Sequence, residues 1–160
     1  MVEEVINEPS APAKTHARGL SGRAQPRRMG DIQGDVEARI PLPIGEFARV
    51  LGGGVVPGSI VLVGGDPGIG KSTLLLQMAM EMSAPNGATS LKVLYVSGEE
   101  SERQIKMRAV RLSRLAGEGT SSNFSDDLLL LTETNLEIIL EQVQVLKPDL
   151  LIVDSIQTVY

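Results

Sequence analysis

A chain of 160 residues with 42% hydrophobic content supports about one domain. Aromatic residues make up only 2%, so the core has to be built from Leu, Ile, Val, Ala and Met. That suits a parallel sheet covered by helices better than an aromatic-rich sandwich. A net charge of -5 excludes a global pull toward nucleic acid, and the absence of Cys excludes disulfides and any cysteine-based zinc site within the chain.

From Met1 to Arg39 the chain holds Pro9, Pro12 and Pro26, several Gly and Ser, and scattered charges without a sustained period. This stretch reads as a flexible tail or linker. Its opening, "MVEEVINEPS", is acidic and has no apolar core, so it resembles neither a signal peptide nor an Arg-rich transit peptide. Arg18, Arg23, Arg27 and Arg28 are available to touch phosphates, although a solvated linker explains them as well. No apolar run reaches the roughly 18 residues of a membrane span, so no membrane association is expected.

From Ile40 to Tyr160 the apolar density rises and strands alternate with helices. "PIGEFARVLGG" places Ile44, Phe47, Val50 and Leu51 on one face of a short helix ended by Gly52 to Gly54. A turn at Pro57-Gly58 then leads into an expected buried strand, Ser59 to Val63. "KSTLLLQMAMEMS" reads as a helix to about Ser83, in which Met78, Met80 and Met82 are packing residues rather than ligands, and "APNG" closes it. "KVLYVSG" is a second buried strand. The helix after it spaces Ile105, Ala109, Leu112 and Leu115 for one buried face. A polar loop, Gly117 to Asp127, leads to the apolar run "LLLL"; Thr134 and Glu137 are then spaced as a capping box for another helix. Pro148 helps to end that helix, and "LLIVD" is a further buried strand. The rhythm predicts an α/β fold with βαβ units and a mostly parallel sheet. His16 lies in the linker without a partner pattern and reads as a solvated side chain.

"GGDPGIGKST" carries the chemistry. Gly65, then Asp66, Pro67, Gly68 and Ile69, then Gly70, Lys71 and Ser72 satisfy every fixed position of a phosphate-binding loop. Glycines let backbone N–H groups turn inward around phosphate oxygens, and the N-terminus of the following helix adds its positive end. In that role Lys71 reaches the β- and γ-phosphates, Ser72 supplies a hydroxyl to Mg²⁺, and Thr73 contacts the α-phosphate. Such a site needs an acid at the end of a nearby strand to hold the metal through water, and Asp154 after "LLIV" is the candidate. Hydrolysis also needs a group that polarises water. Glu99 and Glu100 follow the "YVS" strand on the same sheet edge; the first turn of the next helix accounts for Glu100, which leaves Glu99 as the catalytic candidate beside Lys71.

The ordered set "GDPGIGKST", "VSGEES", "LKPDLLIVDSIQTVY" resembles the RadA (Sms) DNA-repair ATPases of bacteria and plant organelles, over about residues 40–160. The resemblance implies a three-layer RecA-like P-loop NTPase core, a DNA-dependent ATP hydrolase using ATP and Mg²⁺, and single-stranded or branched DNA as substrate. A RecA-type recombinase as partner, a homo-oligomeric ring at full length, and a soluble setting in the bacterial cytoplasm or a plant organelle follow from it too. It assigns Gly65–Thr73 to the Walker A loop, Glu99 to the catalytic glutamate and Asp154 to the Walker B aspartate, with Ser155 and Gln157 as lesser sensors. The chain departs from the pattern in lacking the family's four-Cys zinc ribbon and everything after "DSIQTVY". The expectation is therefore a flexible segment, 1–39, followed by a truncated N-terminal part of the ATPase domain, 40–160. Another P-loop enzyme, such as a nucleotide kinase, and a non-catalytic module that uses ATP as structural glue remain open alternatives.

Overall fold

The computed structural model describes residues 28–31, 38–85, 90–115 and 124–160. The chain divides into two units, Met1–Val36 and Glu37–Tyr160. In the first, the described residues form a single 3-10 turn, Met29–Asp31. Most of the expected linker, with Arg18, Arg23 and Arg27, lies outside the described residues, as do parts of "APNG" and of the polar loop before Asp127.

The second unit runs α1 (Gly45–Val50), α2 (Lys71–Ser83), β1 (Val93–Ser97), α3 (Glu102–Leu115), β2 (Leu128–Thr132), α4 (Leu136–Leu146) and β3 (Leu150–Asp154), then a 3-10 turn, Ile156–Thr158. The three strands form a parallel sheet in the order β2-β1-β3. Both neighbours of β1 are reached through helical crossovers, as parallel pairing requires. Every residue of β1 is buried, because it alone has a strand on each side and helices on both faces.

Alternation along β1 divides the core into two layers. Val93 and Tyr95 face a cluster with Leu76, Ala79 and Met82 of α2, Ile105 and Ala109 of α3, and Ile152 of β3. Ile44, Phe47 and Leu51, around α1, pack against the same cluster. Leu94 and Val96 face the other way and meet Ile139, with Val143 and Leu146 of α4 beside them. The spacing Ile139, Val143, Leu146 keeps one stripe of α4 on the sheet. Helices on both faces of a parallel sheet make this the three-layer α/β architecture expected from the sequence.

Several expectations need correction. Ser59–Val63 is not a strand: among the described residues no backbone hydrogen bond joins Ile60–Val63 to another segment, and Ile60 is 98% and Leu62 83% exposed. Apolar β-branched sequence supplies the propensity, but a strand exists only when a second edge accepts its N–H and C=O groups. The turn before it does form, with the Ser59 N–H donating to Val56 O and Gly58 at φ 79. Val50 and Leu115, assigned to buried helix faces, are 77% and 79% exposed at the ends of α1 and α3. In β3 only Ile152 is buried.

The start of α4 also differs. Asn135, not Thr134, caps it, its Oδ1 accepting from the N–H groups of Glu137 and Ile138. Glu133 Oε1 accepts from the N–H groups of Thr134 and Asn135, so Asn135 and Glu133 satisfy backbone donors where the sequence suggested Thr134 and Glu137. At the far end Lys147 adopts φ 48 just before Pro148, which stops the helix. Asn135→Ala is expected to lower stability by about 1 kcal/mol, the usual contribution of such a cap, in urea denaturation, whereas Asn135→Asp should be close to neutral. Equal stability of Asn135→Ala and the parent would show that the cap contributes nothing.

Candidate nucleotide site

The site lies along the carboxyl ends of the strands. Register pairs Ser97 of β1 with Thr132 of β2 and with Asp154 of β3, so the residues that follow each strand emerge along one sheet edge. The loop Gly65–Gly70 leads into α2 and is exposed throughout. Gly68 at φ 79 and Gly70 at φ 103 hold left-handed backbone that a side chain would strain. Gly70 is itself the N-cap of α2 and supplies no side-chain acceptor, so the first turn of α2 presents N–H groups uncapped by its own cap residue. Lys71 folds back over the loop, its Nζ donating to Gly65 O at 2.7 Å and Asp66 O at 2.8 Å.

The start of α2 and the end of β3 meet directly. Ser72 Oγ donates to Asp154 Oδ1 at 3.0 Å across 82 residues of sequence. The other carboxylate oxygen, Oδ2, accepts from the Tyr95 hydroxyl at 2.7 Å. Burial, reinforced by this bond and by the Asp154 charge, pushes the Tyr95 phenol far above its ordinary range, so it remains a donor. Glu99 is exposed, and its Oε1 accepts from Ser155 Oγ at 2.7 Å. Glu100 forms an ion pair with Arg108 of α3 and precedes that helix, which begins at Glu102. Its sequence assignment to the first turn is thus replaced by a side-chain pairing. The Ser101 N–H donates to Gln104 Oε1, the reach-back half of a capping box that the spacing Ser101-x-x-Gln104 announces.

A polar cleft of about 250 Å³ opens beside Glu99, lined by Ser97, Gly98, Glu100, Thr132, Glu133 and Thr134 as well. The Glu133 carboxyl on its rim is held below the usual carboxylate range, first by the Asn135 N–H and then by that of Thr134. The structure therefore brings together Ser72 with Asp154, Lys71 with its own loop, and Glu99 with Ser155. Thr73 and Gln157 are exposed. Sequence reading missed Tyr95, whose only signal was a hydroxyl inside an otherwise aliphatic strand, where a buried phenol has to find a partner.

A nucleotide with its magnesium ion fits these residues. The first turn of α2 supplies donors for phosphate, and Ser72 and Asp154 pair a neutral hydroxyl with a single carboxylate. Among the described residues no three His, Cys, Asp or Glu side chains gather as a metal cage. That donor set suits a cation that takes most of its oxygens from phosphate and water. No helix among the described residues is long and apolar enough to cross a membrane.

Residues 37–160 match the AAA domain family. The chain is 46% identical over its whole length to the DNA repair protein RadA of Listeria monocytogenes and 47% identical over its whole length to that of Bacillus subtilis. It is 52% identical over 125 residues, 77% of the chain, to the DNA repair protein RadA of Rickettsia conorii. It covers 32% of the first two relatives and 25% of the third, about a third of their length at most. A family match over residues 37–160, with identities of this order, decides the relationship: the chain belongs to the AAA domain family of P-loop proteins, among the relatives of bacterial RadA.

Proposed function

We propose that residues 37–160 form the nucleotide-binding part of a DNA-dependent ATP hydrolase that acts on single-stranded or branched DNA in recombinational repair. The observation that carries the reading is the hydrogen bond between Ser72 and Asp154, which joins a phosphate-binding loop to the acid at the end of a sheet strand. In this reading, backbone N–H groups of Gly65–Thr73 bind the phosphates of ATP. Lys71 exchanges its two carbonyl partners for the β- and γ-phosphate oxygens. Ser72 and Asp154 would hold Mg²⁺. The metal, when bound, supplies neutralisation of the charge that develops on the phosphates.

Glu99 orients and polarises the attacking water. Its carboxylate is exposed beside an open cleft and held by Ser155, whereas Glu100 is engaged with Arg108. The RadA relatives, named DNA repair proteins, support DNA as the effector; a RecA-type recombinase as partner and a homo-oligomeric ring as the working form belong to the proposal.

The reading is tested by titrating the full natural chain with a fluorescent ATP analogue and measuring phosphate release with and without single-stranded DNA. Magnesium-dependent binding and DNA-stimulated release are expected. Binding that ignores magnesium, or release that DNA leaves unchanged, would rule against it.

A further inference from the structure

We infer that Tyr95 is a positioning residue that sets the orientation of the Asp154 carboxylate, and through it the cation-binding geometry of the nucleotide site. The inference rests on the nucleotide-site reading above. Tyr95 sits at the centre of β1, 1% exposed, with Ile152 of β3 opposite it in register. Asp154 is two residues beyond Ile152, so the period of two along a strand returns its side chain to the face that Tyr95 occupies. From there the phenol reaches across the sheet to Asp154 Oδ2 at 2.7 Å, while Ser72 Oγ takes Oδ1 at 3.0 Å.

Two donors from two different elements define the plane of one carboxylate. With Ser72 alone, the group is free to turn about the line of that single bond, and terminal torsions of this kind are broad. Adding Tyr95 fixes which oxygen faces α2. A hydroxyl that also ligates a cation through its oxygen still donates its proton, so the Ser72 to Asp154 bond is compatible with metal at Ser72. Holding the carboxylate in advance removes an ordering step from metal binding, as partners of metal-site carboxylates generally do. Tyr95 itself touches neither phosphate nor metal in this scheme.

Tyr95→Phe deletes the hydroxyl and keeps the ring in the core. In the full natural chain, affinity for a fluorescent ATP analogue is measured in EDTA and in saturating magnesium, and the magnesium concentration for half-maximal binding is determined. The parent is expected to gain affinity with magnesium. Tyr95→Phe is expected to bind the analogue in EDTA within about twofold of the parent, while its half-maximal magnesium concentration rises about tenfold, the effect of losing one hydrogen bond to a charged group. In an Asp154→Asn background the same substitution should leave the magnesium requirement unchanged.

A Tyr95→Phe protein that is less stable yet keeps the parent's magnesium requirement would overturn the inference and leave the nucleotide reading intact. A parent without any magnesium-linked affinity would overturn both. Should Tyr95→Phe fail to fold, 3-fluorotyrosine placed at Tyr95 gives an independent readout. Its fluorine signal is expected to shift more with analogue plus magnesium than with analogue in EDTA, and equal shifts would overturn the inference.

Discussion

Lys71→Ala is expected to weaken ATP binding by about thirtyfold or more while leaving the fold in place. The Lys71 ammonium makes two hydrogen bonds, both to carbonyls of its own loop. Neither anchors the loop to the sheet, so their loss costs little in the unliganded protein. With phosphate present, the same ammonium faces a fully charged acceptor. Truncating one partner of such a charged, hydrogen-bonded pair costs about 2–5 kcal/mol, and each 1.4 kcal/mol is about tenfold in affinity. Lys71→Arg should recover only part of the binding, because a planar fork does not replace a compact ammonium over a tight loop. Calorimetric titration with ATP and magnesium, alongside circular dichroism, checks the expectation. Affinity within about threefold of the parent for a folded Lys71→Ala protein would mean that the loop does not bind phosphate in the proposed way.

Gly98→Ala carries the second large effect, and its cause is space rather than backbone freedom. A Cβ at Gly98 would lie inside contact distance of Thr158 Oγ1, 2.7 Å from Thr158 Cβ and 3.0 Å from Thr134 Cγ2. Thr158 cannot swing aside freely, because its Oγ1 donates to Ser155 O at 2.8 Å and its N–H also donates to Ser155 O. The 3-10 turn Ile156–Thr158 must therefore move. Overpacking of this kind costs about 1–3 kcal/mol. The movement acts on Ser155, whose hydroxyl holds Glu99. Gly98→Ala is accordingly expected to reduce ATP hydrolysis more than ATP binding, since the phosphate loop lies on another segment. Thr158→Gly clears the two closest atoms, so the double variant should recover stability relative to the sum of the single changes. A strictly additive double variant would show that the contact is not the cause.

How legible this was in sequence differs from residue to residue, for physical reasons. α2, β1, α3 and β3 were readable because each carries its own periodicity or apolar run, and the glycine-rich turn before α2 because its glycines stand close together. Ser59–Val63 failed because pairing is a property of two edges, and one segment's β propensity says nothing of its neighbour. The cap of α4 slipped by one residue because Glu133, Thr134 and Asn135 can all accept N–H groups, and backbone geometry chose Asn135 and Glu133. Tyr95 was invisible as a site residue, since its role depends on β1 pairing with a strand 57 residues later. The partner of Glu100 was not legible, because Arg108 lies eight residues away and carried no local signal.

The strand order also has a bearing on how the protein comes together. β1 must close a loop of 35 residues to find β2 and one of 57 residues to find β3. Chain entropy separates those two closures by only about 0.4 kcal/mol, about twofold in rate, so loop length alone does not rank them. Once β2 has paired, however, β3 follows from its end after only the short α4 crossover. β3 is then expected to dock last, and it carries Asp154. The last of the three described strands also carries one side of the candidate site, so a ligand that bridges α2 and β3 would act as a clamp on the docking of β3. ATP with magnesium would in this way raise the population of molecules with β3 docked by mass action, before any turnover takes place.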